Sequence, residues 1–198
     1  MNHNKIVVPF LRNGEIEEKA ELLREKFWDD KVPVDIEYII DTKLEIDIIP
    51  IPNFLKLIGI DSLITSDWKS LYVDYDEYMD ERRHNRLRFS LAHEIGHFVL
   101  HKKIYDSFNI KKLNDYYKLN EDIPREQYGY LETQANKFAN YLLIPRKILR
   151  VERNKIIERI KEDLKGIDTK TLNSYLAIPL SETFKVSDEV VAIALNDI

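Results

Sequence analysis

Residues 86–101 read Arg86-Leu-Arg-Phe-Ser-Leu-Ala-His-Glu-Ile-Gly-His-Phe-Val-Leu-His101. Leu87, Leu91, Ile95 and Phe98 recur at helical spacing, and Phe89, Ala92, Val99 and Leu100 add apolar bulk, so the stretch reads as a largely buried helix. Inside it, His93-Glu94-Ile95-Gly96-His97 is an HExxH motif. Side chains four apart share a helix face, so two imidazoles can each offer a nitrogen to one zinc ion, at roughly 2.0–2.1 Å. Glu94 directly follows the first histidine and flanks such an ion without coordinating it. A carboxylate placed there can take a proton from an attacking water and return it to a leaving amine, the arrangement of a metalloprotease. HExxH also arises by chance on surface helices, but here the flanking apolar spacing buries the histidines and the glutamate, and buried polar groups need partners. Gly96 in mid-helix costs about 1 kcal/mol against alanine. That cost points to something approaching the backbone closely.

A catalytic zinc has three protein ligands and one open position. The chain has no cysteine, which leaves histidine and carboxylate as candidates and excludes disulfides. His101 extends the four-residue series, but it stands about 12 Å along the axis from His93 and cannot share an ion with it. The metzincin extension needs glycine at position 100 and histidine at position 103, where the chain has Leu100 and Lys103. His3 and His84 lack supporting context. A carboxylate remains. Glu132 is favoured over Glu121, Asp122 and Glu126, which sit in polar sequence. It lies on a second apolar helix, with Asn136 one turn further on, beside the small Ala135 and Ala139. Small residues let this helix pack close to the first, and Asn136 can then hydrogen-bond a ligand histidine and fix its tautomer.

The 198 residues, 44% hydrophobic and 33% charged, suffice for one domain (1–198) with a substantial core. No run of about 18 apolar residues occurs, and Ile6–Leu11 is too short for a signal peptide, so the expectation is a soluble cytoplasmic protein. A net charge of −5 argues against broad binding to nucleic acid.

Periodicity predicts helices over Glu15–Trp28 and Val34–Ile40. Strands are predicted over Leu44–Ile49, ended by Pro50 and Pro52, then over Gly59–Thr65 and Ser70–Tyr75 with a turn near Ser66-Asp67. They make a small antiparallel sheet before the motif helix. Region 15–101 thus holds helix, sheet and HExxH helix. Region 102–130 reads as a variable loop region carrying Tyr105, Tyr116, Tyr117 and Tyr128. It is either a cover for a substrate cleft or a surface excursion with a short helix near Ile110–Tyr117. Region 131–198 holds the Glu132 helix, Leu131–Leu143, stopped by Pro145, then Val151–Leu164, ended near Gly166, and two helices joined around Lys185–Asp188 with Ser187 as N-cap. The last helix carries acidic residues and no Lys or Arg, so the pair reads as packing rather than as a DNA reader. The fold class is α+β.

Two blocks, Arg88-Phe-Ser-Leu-Ala-His-Glu-Ile-Gly-His97 and Leu131-Glu-Thr-Gln-Ala-Asn-Lys-Phe-Ala-Asn-Tyr-Leu-Leu-Ile-Pro145, resemble the ImmA/IrrE zinc metallopeptidases. The resemblance spans about Ile16 to Ile193, strong in the blocks and loose between them, where this chain is long. It implies a gluzincin-like, zincin-type helical core, Zn2+ held by His93, His97 and Glu132, and Glu94 as general base. It also implies cleavage of a helix-turn-helix repressor that controls a mobile element, a prophage or a stress response. A different class of function fits the same ligands: a regulatory or toxin–antitoxin component that binds its partner without cutting it. No direct contact with nucleic acid or membrane is expected.

Overall fold

A computed structural model describes residues 6–108, 110, 113–160 and 168–198. Helix α1 (Asn13–Phe27) buries Ile16, Ala20 and Leu23, and the Glu15 carboxylate closes its start by accepting from the Arg12 N–H at 2.8 Å. Asp35 caps a short helix α2 (Ile36–Tyr38), which widens into a π-helix over Ile39–Lys43. Strand β1 then runs Asp47–Ile51. The predicted strand began earlier, at Leu44, but Glu45 adopts a left-handed φ of 55° that interrupts an extended run. Pro50 lies inside β1 rather than ending it. Among the described residues the strand has a neighbour on one side only, and an edge strand tolerates the missing N–H.

The sheet has order β1-β3-β2 and is mixed, not antiparallel as predicted. Strand β3 (Ser70–Asp74) pairs parallel with β1, Asp47 opposite Ser70, and antiparallel with β2 (Ser62–Ile64), Ser62 opposite Val73. The cause is helix α3 (Phe54–Ile58), unread in the sequence, between β1 and β2. Left-handed Asn53 and Gly59 bracket α3, which carries the chain past β3's place before it turns back. The turn predicted at Ser66-Asp67 does join β2 to β3, with Thr65 N–H bonded to the Ser70 carbonyl at 2.9 Å.

Helix α4 (Tyr75–Met79), capped by Asp74, and a single 3-10 turn lead into the motif helix α5 (His84–Leu100). Arg88, buried on α5, donates to the carbonyls of Val34 and Lys185 at 2.6 and 3.0 Å, tying both ends of the chain to this helix. The stretch 102–130, predicted as a loop region, is largely helical: α6 (Lys102–Phe108), α7 (Leu113–Asp122) and the first turns of α8 (Arg125–Leu143). Ile110 bonds Ser66 through both backbone N–H and C=O, which fastens this excursion to the β2–β3 turn.

Beyond Pro145 come α9 (Arg146–Arg159), α10 (Thr169–Phe184) and α11 (Asp188–Leu195). The predicted end of α9 near Gly166 lies outside the described residues. Ser187 caps α11 by accepting from Val190 N–H, as predicted. Asn140 of α8 donates to the Val190 carbonyl at 2.9 Å and accepts from buried Arg146, which also reaches Asp197 at 3.0 Å. These bonds hold α11 against α8.

Helices α5 and α8 form the most extensive helix pair. A Cβ at Gly96 would stand 3.0 Å from both Cα and O of Ala135, so glycine here permits backbone contact between the two helices. Gly96→Ala should therefore lower stability by about 1–3 kcal/mol through overpacking. Gly129→Ala, at a helical site on α8 with open space around it, should raise stability by a few tenths to about 1 kcal/mol. Chemical denaturation of the two variants checks both signs.

Candidate metal centre

Helix α5 lies against both α8 and β2, and the three elements meet at its HExxH turn. Nε2 of His93 and Nε2 of His97 stand 3.0 Å apart. The Glu132 carboxylate of α8 places Oε2 3.3 Å from the first and Oε1 3.5 Å from the second. Three donors at roughly 2.0–2.1 Å in a tetrahedron stand roughly 3.3 Å from one another, so two imidazoles and one carboxylate here suit one zinc-sized ion and leave a fourth position. One ligand atom from each residue falls within 4.8 Å of the others, and among the described residues no other such group gathers. Glu121, Asp122 and Glu126 stay exposed, and Glu126 accepts from the Tyr130 hydroxyl. His84 bonds Glu37 at the far end of α5, and His3 lies outside the described residues.

The outward nitrogens of both histidines are also engaged. His93 Nδ1 meets Asn136 Oδ1 at 2.8 Å, the contact expected of a residue one turn beyond Glu132. His97 Nδ1 meets His101 Nδ1 at 3.0 Å. His101 is thus a neighbour of the centre and not one of its donors, as its distance along the helix required.

Charge in this cluster follows its geometry. Burial opposes a charge on His93, but the hydrogen bond to Glu132, the field of Glu94 and Glu132, and the bond to Asn136 outweigh it, raising the imidazole to about 9. Burial would likewise raise Glu132, yet its bonds to His93 and His97 prevail and hold the carboxyl well below its usual range.

Glu94 is buried and faces β2. Its Oε1 accepts from Ser62 Oγ and its Oε2 from Ile64 N–H, both at 2.9 Å. Each oxygen keeps a further lone pair. A cleft of about 290 Å³ opens at this point, lined among others by Glu94, Glu132, Tyr105, Tyr116 and Tyr128. The Tyr105 ring lies 5.1 Å from that of His97, and the hydroxyls of Tyr116 and Tyr128 are 3.2 Å apart. Burial raises the pKa of both phenols, so each keeps its proton. One hydroxyl of the pair donates to the other, whose own hydrogen is left to point elsewhere. Tyr105, Tyr116 and Tyr128 therefore line the cleft, whereas the exposed Tyr117 donates to the Leu57 carbonyl.

Sequence reading did not find Ser62 or Gln134. Ser62 carries no signal, since its partner lies far along the chain on another element. Gln134 had one: it occupies the apolar stripe of α8 between Leu131 and Phe138, where a buried polar side chain requires a partner.

A family model described as Peptidase_M78, the IrrE N-terminal-like domain, matches residues 78–196, which include all of α5 and α8. The chain belongs to this family. A metallopeptidase type of function follows from that membership. No curated protein matches the chain. Among the described residues no helix is long and apolar enough to cross a membrane.

Two outcomes test the centre with zinc as the probe. Glu132→Ala should lose most of the affinity while retaining helical content by circular dichroism. In the intact protein a metal must displace the proton that His93 holds below about 9. Affinity should therefore rise about tenfold per pH unit up to that value and then level off. Competition against a chromophoric chelator between pH 6 and 10 measures it.

Proposed function

We propose that the protein is a zinc-dependent endopeptidase that cleaves a helix-turn-helix repressor of the Xre type, relieving repression of a mobile element, a prophage or a stress response. The observation that carries this reading is the meeting of His93, His97 and Glu132 beside Glu94 at a cleft, in a chain of a peptidase family. Zinc held by these three residues would supply Lewis acidity toward the scissile carbonyl and lower the pKa of water to about 7. Glu94 accepts the proton of the attacking water and delivers it to the leaving amine. Ser62 and Ile64 hold its carboxylate in one orientation meanwhile. The free hydrogen of the Tyr116–Tyr128 pair is the available donor for the oxyanion, in a site where one such donor is worth about 10²–10³ in rate. Such a repressor is met in the cytoplasm, so the reading requires that compartment.

One observation favours the binding-only class, a toxin–antitoxin or regulatory partner. Both oxygens of Glu94 already accept hydrogen bonds from β2, a posture that also serves a purely structural carboxylate.

Coexpression with the helix-turn-helix repressor encoded nearest to it separates the two. A discrete repressor fragment by intact mass with the wild type, and none with Glu94→Gln at equal zinc content, is the expected result. Stable association without cleavage in zinc-loaded protein would move the assignment to the binding class. The same assay with Tyr116→Phe and Tyr128→Phe should show one of the two losing about a hundredfold in kcat with KM little changed.

A further inference from the structure

We infer that a directed chain of hydrogen bonds, running from the backbone of the N-terminal segment through Gln134 and His101, fixes a hydrogen on His97 Nδ1 and so reserves its Nε2 for the metal. Rotated amides and imidazole tautomers make most such networks ambiguous in direction. This one has a fixed end. The Pro9 carbonyl can only accept, and the Gln134 side chain lies 2.8 Å from it, so the atom facing Pro9 is the amide nitrogen. The Gln134 oxygen is then turned to His101 Nε2, 3.0 Å away, which must carry a hydrogen. A neutral imidazole with its proton on Nε2 has an acceptor at Nδ1. His97 Nδ1, 3.0 Å from it, therefore carries the hydrogen of that contact, and His97 Nε2, facing Glu132 and His93, is the nitrogen kept for a metal.

The three side chains of the relay are shielded from water, Gln134 being 7% exposed, His101 1% and His97 2%, while Pro9 at its end is exposed. A wrong tautomer at the two buried contacts, Gln134–His101 and His101–His97, would set two donors or two acceptors face to face, with no solvent to relieve them. His93 has no such anchor, since Asn136 offers an oxygen or a nitrogen by a simple flip. The two ligand histidines of one motif are thus oriented by different means.

The chain's fixed end lies outside residues 78–196, the part that the family match covers. Residues 8 and 9 are pinned to one face of α8 at two points, Val8 N–H to Gln127 Oε1 at 2.7 Å and the Pro9 carbonyl to Gln134. Gln134 and His101 are positioning residues in this account, acting on the metal through His97. The inference takes from the proposed function only the identity of His97 as a ligand, and its central measurement needs no metal.

Long-range ¹H–¹⁵N correlation spectra of the metal-free full-length protein report the tautomer of each histidine. The wild type should show His97 protonated on Nδ1. Gln134→Met removes the acceptor for His101 Nε2 while keeping the bulk. It should move proton occupancy of His97 toward Nε2 and weaken zinc binding by about ten- to a hundredfold. His101→Phe should weaken binding similarly, and His101→Asn, whose Oδ1 restores an acceptor near the lost Nδ1, should recover most of the loss. A His97 Nδ1 without a proton in the wild type would overturn the inference, whether or not the variants fold. So would an unchanged His97 signature in Gln134→Met. Failure of the wild type to bind zinc would count instead against the metallopeptidase reading, because the tautomer is read without metal.

Discussion

The contact on which the rest depends is the approach of α5 to α8 at Gly96 and Ala135. Two helices bring their backbones this close only where both present almost no side chain, and here one of them presents none. The separation decides whether a carboxylate on α8 reaches two imidazoles on α5 with donor spacings near 3 Å or misses them. Glu132 sits one turn before Asn136 and three residues before Ala135, so the residue that touches Gly96 also sets the height of the carboxylate. The energetic cost of a mid-helix glycine and the geometry of the metal centre have one cause.

Around that contact, polar groups are buried in an order that makes each the partner of the next. Glu94 is satisfied by β2, His93 by Asn136, and His97 by His101 and, through it, Gln134 and Pro9. Dense burial raises the energy of any unpaired donor or acceptor, and this selects one arrangement among many near-equal ones. Tyr105, Tyr116 and Tyr128 line the other side of the cleft, and burial keeps their protons in place. Stability and preorganisation draw on one low-dielectric environment.

Much of this was legible in the sequence. Helices α1, α5 and α8 announce themselves by apolar spacing, since a buried helix face repeats over several turns. The absence of cysteine, the polar setting of Glu121, Asp122 and Glu126, and the small residues near Asn136 together pointed to Glu132. The sheet was less readable. Three short strands with matched alternation carry no record of whether a neighbour runs parallel or antiparallel, and α3, at five residues, is too short to show a period. The tyrosine-bearing stretch between the blocks shows in the sequence no more than a loop region or one short helix, because α6 and α7 are polar and brief.

The motif spacing, the apolar stripes and the exclusion of thiolate ligands belong to the sequence itself, because each rests on residues within a few turns of one another. Tertiary structure alone decided the rest. Ser62 meets Glu94 across 32 residues, and Pro9 meets Gln134 across 125. Contacts at such separations leave no local period, since they are set by how whole helices and strands pack. The same holds for the direction of hydrogen bonding at His97. It follows from a carbonyl that can only accept, at a place in the fold that no pattern near the motif reveals.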